Sequence, residues 1–295
     1  MNRLWLEVAL NGGRGRNWQP TMPLSVEDIV SEGLACVSEG AAIVHYHAYD
    51  AATGRQQERS LDLHRRIIEG IRSRCDAIVY PTTAMRILGQ PSMGSDRFSV
   101  EKALIEEGLL EWFVLDPGSM VMAHQSDLSG GYVYLNEIGE IIAGYEFAKQ
   151  HGLSLALATY ELGFARLARR VASRVGDRDP GVYRLMYSDG FSYGLPPSTA
   201  SLRITHEALN LLGIERWMLA GLDFDVFALT RDALELGADL RVGLEDAPRG
   251  CGQTNLELIK QAVGFSRDVG RDLASPKEIR AAVLNPLPEA GAPGM

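Results

Sequence analysis

The chain has 295 residues, of which 46% are hydrophobic and 23% are charged, the balance of a folded globular protein rather than a disordered one. This length suits one large α/β domain as well as two small domains. The 38 acidic residues outnumber the 29 basic ones, and the net charge of −9 argues against a nucleic-acid or anionic-membrane partner but not against a small anionic ligand.

The cysteines and the start of the chain indicate an ordinary soluble protein. Cys36, Cys75 and Cys251 include no Cys-x-x-Cys pair and are too few for a disulfide framework. Cys36 lies on an apolar helical face, where a core position is expected. Met1 leads directly into a strand-like segment without a basic leader, and no apolar run approaches the ~20 residues that span a bilayer. We therefore expect a cytoplasmic protein with no membrane partner.

Short apolar strands alternate with amphipathic helices along the whole chain. The first helix is predicted to begin at Ser25, with Asp28 at capping-box spacing and with Ile29, Val30 and Leu34 on one helical face. The strands are predicted at residues 4–10, 42–47, 77–81, 112–115, 154–159, 183–187, 217–220 and 240–244. The later helices are predicted at residues 61–74, 99–107, 136–151, 162–175, 199–212, 225–236 and 254–270.

Eight strand–helix pairs predict a single-domain (β/α)8 barrel, the TIM barrel, over residues 1–284. The alternative is a doubly wound open sheet with a glycine-rich loop after its first strand. Residues 11–15 (Asn-Gly-Gly-Arg-Gly) look similar, but they lead into a loop with Pro20 and Pro23, whereas a dinucleotide-binding fingerprint leads directly into a helix. Residues 285–295, rich in Pro, Gly and Ala, are expected to form an extended tail, either disordered or laid on a neighbouring subunit.

A pair of histidines lies at the end of the second predicted strand, where TIM barrels place their active-site residues. His45 and His47 are two residues apart, so both imidazoles project from the same face of the strand. Neutral imidazole is a common metal ligand, and the pair is suited to hold one ion from two sides. The alternative interpretation is two hydrogen-bonded core histidines.

The last predicted strand, residues 240–244, supplies a carboxylate. Its apolar side chains are expected to meet the helices, so that Arg241 and Glu245 point into the barrel. A structural ion pair is the alternative, although buried charges are costly unless they are paired or metal-bound. The last, first and second strands are neighbours in a closed barrel, which brings Glu245 within reach of both histidines. Two histidines and one carboxylate with an open position are typical of catalytic zinc.

Polar residues also follow the other predicted strands. Each could have a functional role or could equally be a cap or turn residue. These residues are Asn11, Arg14, Thr82, Thr83, Ser119, Glu161, Ser188 and Asp189. The remaining histidines are expected to lie outside the site, in helices or loops: His64, His124, His151 and His206.

Three segments carry a resemblance to a known family. They are residues 40–47 (Gly-Ala-Ala-Ile-Val-His-Tyr-His), residues 23–28 (Pro-Leu-Ser-Val-Glu-Asp) and residues 241–246 (Arg-Val-Gly-Leu-Glu-Asp). Together they resemble the β-keto acid cleavage enzymes, typified by 3-keto-5-aminohexanoate cleavage enzyme, over nearly the whole chain. The resemblance implies a zinc-dependent TIM barrel, usually a homotetramer. It also implies condensation of a β-keto acid with acetyl-CoA, which releases acetoacetate and a new CoA thioester.

The resemblance also implies residue roles. His45, His47 and Glu245 match the zinc ligands, Asp246 matches the catalytic base, and Arg241 matches the arginine beside it. The substrate-binding set that we predict is Asn11, Arg14, Thr82 and Ser119.

Some positions depart from the family pattern and bear on the substrate. Thr82 stands where the family has a serine and Ser119 where it has a threonine, so both keep a hydroxyl. Arg14 replaces a glutamate of the aminohexanoate enzyme, which predicts a substrate with a second negative charge or at least no ammonium group. Arg16 would take this role if the loop were shifted.

Two other functions compete with this prediction. A metal-dependent hydrolase of the amidohydrolase type also carries His-x-His in a barrel, but it needs histidines after the fifth and sixth strands. Residues 158–161 and 186–189 contain none. A barrel that binds a ligand without catalysis is the other alternative, and the complete metal and acid–base set argues against it.

Overall fold

The computed structural model describes residues 2–89, 97–176 and 181–284, and its core is an eight-stranded parallel barrel. The predicted tail, residues 285–295, lies outside the described residues. The strands are β1 (Leu6–Ala9), β2 (Ile43–Tyr46), β3 (Tyr49–Asp50), β4 (Arg55–Gln56), β5 (Ile78–Pro81), β6 (Trp112–Val114), β7 (Met120–His124), β8 (Asp127–Tyr134), β9 (Ser154–Thr159), β10 (Gly181–Tyr187), β11 (Trp217–Gly221) and β12 (Asp239–Val242). The helices are α1 (Val26–Ser38), α2 (Leu61–Arg72), α3 (Ser99–Glu106), α4 (Ile138–His151), α5 (Leu162–Val175), α6 (Thr199–Leu211), α7 (Phe227–Glu235), α8 (Asn255–Asp268) and α9 (Pro276–Leu284).

The strand order identifies the barrel. Hydrogen-bonded neighbours run β5-β2-β1-β12-β11-β10-β9-β6, which is chain order around a ring once the two hairpins β3–β4 and β7–β8 are set aside. The end strands β5 and β6 pack side by side, and the Thr83 hydroxyl donates to the Val114 carbonyl across this seam at 3.0 Å. The predicted TIM barrel is confirmed, and the open doubly wound sheet, whose strand order reverses at a switch point, is excluded.

The helices pack around the barrel as their apolar periodicity predicts. Ser25 caps α1 by accepting a hydrogen bond from the Asp28 backbone N–H at 3.0 Å, and Ile29 and Val30 are buried. Thr254 and Glu257 form a capping box that begins α8. No helix in the described ranges is long and apolar enough to cross a membrane.

The last barrel strand ends two residues earlier than predicted, at Val242. Gly243 has a φ of 148°, and a Cβ atom there would lie 2.0 Å from the Ala9 carbonyl oxygen on β1. Only glycine fits this backbone and this close approach. The chain therefore leaves the barrel wall in a turn, closed by the Asp246 N–H donating to the Gly243 carbonyl at 3.1 Å. Glu245 thus reaches the site from a turn rather than from the strand.

The antiparallel hairpin β7–β8 was not predicted from the sequence. It follows β6, and the Leu88 N–H donates to the Val133 carbonyl, so the segment after β5 joins its edge. Met120 and Met122 are buried whereas Val121 between them is 60% exposed, so burial alternates as in a strand although the sequence here is uniformly apolar. The hairpin extends the wall of the barrel mouth above the carboxyl ends of the strands.

Candidate metal and acid–base site

Two imidazoles and one carboxylate converge at the mouth of the barrel. His45 lies in β2, one residue before its end, His47 directly follows the strand, and Glu245 comes from the turn after β12. The His45 Nε2 atom lies 3.4 Å from Glu245 Oε2, and the His47 Nε2 atom lies 3.5 Å from Glu245 Oε1. All three donor atoms lie within 4.8 Å of one another. The geometry therefore brings together the three residues that the sequence analysis selected as metal ligands.

The chemistry of this donor set fits a divalent metal ion. His45 and His47 are 2% and 8% exposed. In the described part of the chain, the buried Glu245 Oε2 atom has no hydrogen-bond partner, which is costly unless a cation satisfies it. Burial lowers the pKa of His45 well below its usual value, although the Glu245 carboxylate acts in the opposite direction. The neutral imidazole that results is the form that binds metals.

A buried arginine joins the carboxylate ligand to the neighbouring acid. Arg241 Nη2 lies 3.0 Å from Glu245 Oε1 and 2.8 Å from Asp246 Oδ1, while its Nε donates to Asp246 Oδ2 at 2.9 Å. Burial raises the pKa of Glu245, but Arg241 and both imidazoles outweigh it and hold the pKa well below its usual range. Burial raises the pKa of Asp246 to about 6 against the opposing charge of Arg241. One guanidinium group thus stabilises two adjacent carboxylates that differ in proton affinity.

A second set of buried polar residues forms the floor beneath this site, and the sequence analysis missed it. Glu7 on β1 is fully buried, and Glu7 Oε1 accepts from the Tyr80 hydroxyl at 2.6 Å and from Arg241 Nη1 at 3.1 Å. Arg184 on β10 donates to the Tyr80 hydroxyl at 3.2 Å, and the Tyr80 ring packs on His45 at 4.8 Å. Glu7 and Arg184 carry the same sequence signal as Arg241, a charged residue inside an apolar strand.

The cavity above this floor has a volume of about 220 Å³ and is rich in cationic side chains. Its lining includes the three metal-ligand candidates together with Arg14, Thr82, Arg97, Asp116, Arg184 and Arg241. Met122, Tyr132 and Tyr134 of the β7–β8 hairpin close one side. An acidic protein thus contains a cationic pocket, which suits a small anionic ligand.

Two predicted substrate-binding residues reach this cavity. Thr82 lines it after β5, and the Arg14 guanidinium lies over the rings of Trp18 and Phe191, at 5.1 and 4.7 Å from their centroids. Arg16 instead donates to the Met22 carbonyl at 3.2 Å and is absent from the lining. The loop therefore presents Arg14, and not Arg16, to the cavity.

The other two predicted substrate-binding residues lie outside the cavity lining, in contact with the protein backbone. The Asn11 amide donates to the His47 carbonyl at 2.9 Å, and its oxygen accepts from the His47 N–H at 2.8 Å. The Ser119 hydroxyl donates to the Asn136 carbonyl at 2.8 Å and accepts from the Asn136 N–H at 2.7 Å. Asn11 therefore positions a metal-ligand candidate, and Ser119 ties the loop after β6 to the start of α4.

The other polar strand-end residues make local contacts. Glu161 accepts from the Gly194 N–H at 2.9 Å, and the Ser188 hydroxyl bonds the Leu222 carbonyl at 2.5 Å. Among the histidines expected outside the site, His64 is buried in α2 and bonds the Tyr46 hydroxyl at 3.2 Å. His124 differs from the prediction, because it ends strand β7 beside the cavity mouth rather than lying in a helix or loop.

The barrel and its site define a TIM-barrel enzyme with its reactive groups at the carboxyl ends of the strands. The chain belongs to the β-keto acid cleavage enzyme family, whose family model matches residues 3–284. It is 25% identical to 3-keto-5-aminohexanoate cleavage enzyme of Fusobacterium nucleatum, covering 95% of this chain and 97% of that protein. It is also 25% identical to 3-oxoadipate:acetyl-CoA acetyltransferase of Cupriavidus necator, covering 96% and 95%. The chain is accordingly an enzyme of the acyltransferase type that cleaves a carbon–carbon bond.

One further relative and one solved structure are also similar to this chain. The chain is 26% identical to 3-dehydrocarnitine:acetyl-CoA trimethylamine transferase of Rhizobium meliloti, covering 88% of each protein. Among solved structures, the complex of ObcA with oxaloacetate superposes with a TM-score of 0.68 at 18% identity, covering 90% of this chain and 67% of that one. At this identity the structural similarity supports the fold alone.

Proposed function

We propose that this enzyme is a zinc-dependent β-keto acid cleavage enzyme. In the reaction, the acetyl group of acetyl-CoA moves to the α-carbon of the keto acid, and the original acyl group moves to the CoA sulfur. Acetoacetate and a new acyl-CoA are released. The observation that carries the proposal is the convergence of His45, His47 and Glu245 beside the buried Arg241–Asp246 pair.

His45, His47 and Glu245 would hold the zinc ion, which supplies Lewis-acid polarisation of the substrate's keto group. Asp246 takes the proton from the α-carbon, between the carboxylate and the keto group. A pKa of about 6 suits such a base, because it is ionised at neutral pH yet retains affinity for a proton. Arg241 holds the Asp246 carboxylate in one orientation by two parallel hydrogen bonds.

The cationic lining supports a substrate with a second negative charge. Arg14 lines the cavity, and among the described residues no carboxylate forms an ion pair with it. A guanidinium group in this position binds a distal carboxylate and repels an ammonium group. We therefore propose 3-oxoadipate-like or 3-oxoglutarate-like acids as substrates, and the relative from Cupriavidus necator is named for 3-oxoadipate.

A homotetramer is part of the proposal. Large apolar side chains are exposed around the β7–β8 hairpin and the start of α4, and an oligomer interface would cover them. They are Met85, Leu88, Val121, Leu128 and Ile138. Light scattering coupled to size-exclusion chromatography would measure the mass directly, and a monomer of 32.3 kDa would contradict the proposal.

A product-tracing experiment tests the reaction. Purified enzyme is incubated with acetyl-CoA labelled in its acetyl group and with a panel of β-keto acids, and the products are separated by mass spectrometry. The proposal expects the label in acetoacetate and none in the new acyl-CoA. Asp246→Asn serves as the catalytically impaired control. Labelled free acetate without acetoacetate would show thioester hydrolysis instead, and unchanged acetyl-CoA with every acid would indicate a barrel that binds its ligand without catalysis.

A further inference from the structure

The arginine that faces the cavity is held by aromatic rings rather than by an acid. The Arg14 guanidinium lies over the rings of Trp18 and Phe191, whose centroids are 6.2 Å apart, and we call these two rings its aromatic cradle. Trp18 comes from the loop after β1, and Phe191 from the loop between β10 and α6. The direction in which Arg14 points therefore depends on how two separate loops are held together.

His124, at the end of β7, packs against both rings of this cradle. Its imidazole centroid lies 5.5 Å from that of Trp18 and 4.9 Å from that of Phe191, each edge to face. His124 Nδ1 accepts from the Ser126 backbone N–H at 3.2 Å, so the ring proton lies on Nε2. Nε2 then donates to Asp223 Oδ2 at 2.9 Å. The hairpin is thereby joined through a side chain to the loop between β11 and α7.

The local backbone is adapted to this hydrogen bond. Asp223 has a φ of 55°, and it is the one non-glycine residue with positive φ in the described ranges. Its Oδ1 atom accepts from the Arg249 N–H at 2.7 Å, so both carboxylate oxygens are used. A Cβ atom on Gly190 would lie 1.9 Å from Asp223 Oδ2 and 2.7 Å from His124 Nε2. The pair forms only because residue 190 is glycine.

We propose that His124 and Asp223 are positioning residues that set substrate specificity through Arg14. Their hydrogen bond locks the β7–β8 hairpin onto the β11–α7 loop and holds Trp18 and Phe191 in the arrangement that aims Arg14 into the cavity. This inference rests on the proposed role of Arg14 in binding the distal carboxylate of a dianionic β-keto acid. Neither residue lines the cavity, so both act through the cradle rather than on the substrate.

Two substitutions at His124 separate its ring from its hydrogen bond. His124→Phe keeps an aromatic ring against Trp18 and Phe191 but removes the donor to Asp223. His124→Gln removes the ring but places an amide donor within reach of Asp223. The matched control is His206→Phe on α6, because His206 also packs on a tryptophan, Trp217, and neither residue lines the cavity.

The kinetic test compares these variants on a dianionic β-keto acid. We expect His124→Phe to raise KM about tenfold with kcat nearly unchanged, because a misplaced Arg14 would lose one charge-assisted hydrogen bond to the distal carboxylate of the substrate. His124→Gln should recover most of the wild-type KM, and His206→Phe should match wild type. In an Arg14→Ala background His124→Phe should add nothing further, because the cradle then has no guanidinium to aim. A full effect of His124→Phe without Arg14, or a wild-type KM for His124→Phe, would overturn the proposal.

Hydrogen exchange gives a readout that does not depend on turnover. The Gln125 N–H donates to the Gly190 carbonyl at 2.8 Å and the Ser192 N–H to the Ala123 carbonyl at 3.1 Å, so these amides report hairpin docking. We expect faster exchange at both amides in His124→Phe and in Gly190→Ala, and wild-type exchange in His206→Phe. If wild type processes no β-keto acid, the proposed function fails and the specificity role fails with it, whereas the exchange rates separately decide whether His124 and Asp223 hold the hairpin in place. Unchanged exchange in both variants would refute this inference.

Discussion

Arg241 holds Asp246 through two parallel hydrogen bonds, from Nε to Oδ2 at 2.9 Å and from Nη2 to Oδ1 at 2.8 Å. The same Nη2 lies 3.0 Å from Glu245, and Nη1 donates to Glu7 at 3.1 Å. One guanidinium group therefore connects the proposed base, a proposed metal ligand and the barrel floor. Glu7, Arg241 and Asp246 are buried and the Glu245 side chain is 15% exposed, so removing one of these groups leaves others without their partner.

Substitutions of Arg241 and Asp246 should separate catalysis from metal binding. Asp246→Asn should retain the metal but lose turnover by about two to four orders of magnitude, because it removes a proton acceptor without removing a ligand. Arg241→Lys should also reduce kcat, since an ammonium group cannot reproduce the planar two-point contact. Stopped assays of acetoacetate formation, with metal content measured on the same samples, would check both. A near-normal rate in either variant would show that the assigned role is wrong.

The metal site predicts the composition of the purified protein. We expect about one zinc ion per chain by elemental analysis, because three ligands with an open position form one catalytic site. His47→Ala should lose both the metal and activity, since two remaining ligands hold zinc weakly. His151→Ala, a change in α4, is the control and should keep both. Wild-type protein purified without chelators and free of any bound metal would argue against this site.

Arg14 predicts the order of substrate preference. Wild type should have a higher kcat/KM for 3-oxoadipate or 3-oxoglutarate than for 3-keto-5-aminohexanoate, because Arg14 attracts a carboxylate and repels an ammonium group. Arg14→Glu should reverse this order, and Arg14→Gln should reduce the difference by about tenfold or more. The measurement is kcat/KM for each acid in each variant. A wild type that prefers the amino-bearing acid, or a ranking unchanged in Arg14→Glu, would refute the assignment.

Glu101 predicts a pH-dependent stability. Burial raises the pKa of this carboxyl on α3 from 4.5 to about 7. The pKa of Glu101 is therefore higher in the folded state than in the unfolded state. Below about pH 4.5 the carboxyl is protonated in both states and does not lower the free energy of unfolding. As the pH rises through 7, ionisation of the buried carboxyl lowers the free energy of unfolding. Glu101→Gln should therefore increase the free energy of unfolding at pH 8 by about 3 kcal/mol.

The gain from Glu101→Gln should shrink to about 1 kcal/mol at pH 5, where the wild-type carboxyl is protonated in the folded state and only partly ionised in the unfolded state. Urea denaturation of both proteins at pH 5 and pH 8 measures the difference. Glu106→Gln, at an exposed position on the same helix, is the control. An equal change at both pH values would mean that the substitution acts through packing and not through the charge.

The sequence by itself determined the barrel and its metal-ligand candidates. Local periodicity predicted each of the eight barrel strands to within a few residues, because the side chains of strands and helices repeat with different periods. His45 and His47 were selected from their two-residue spacing, which places both on one face of a strand without reference to the rest of the chain. Arg241 was selected in the same way, as a charged residue in an apolar strand.

Only the tertiary structure decided which distant groups meet. Glu245 reaches the histidines because Gly243 ends β12 against Ala9, a contact between the two ends of the chain. Asn11 was predicted to bind substrate, and the folded loop directs its amide to the backbone N–H and carbonyl of His47. His124 was expected in a helix or loop outside the site, whereas it lies in the β7–β8 hairpin, which brings it to Asp223, 99 residues further along the chain. Such pairings depend on closure of the barrel and docking of its loops. The residues involved are far apart in the sequence, so the periodicity of a single helix or strand cannot predict their contact.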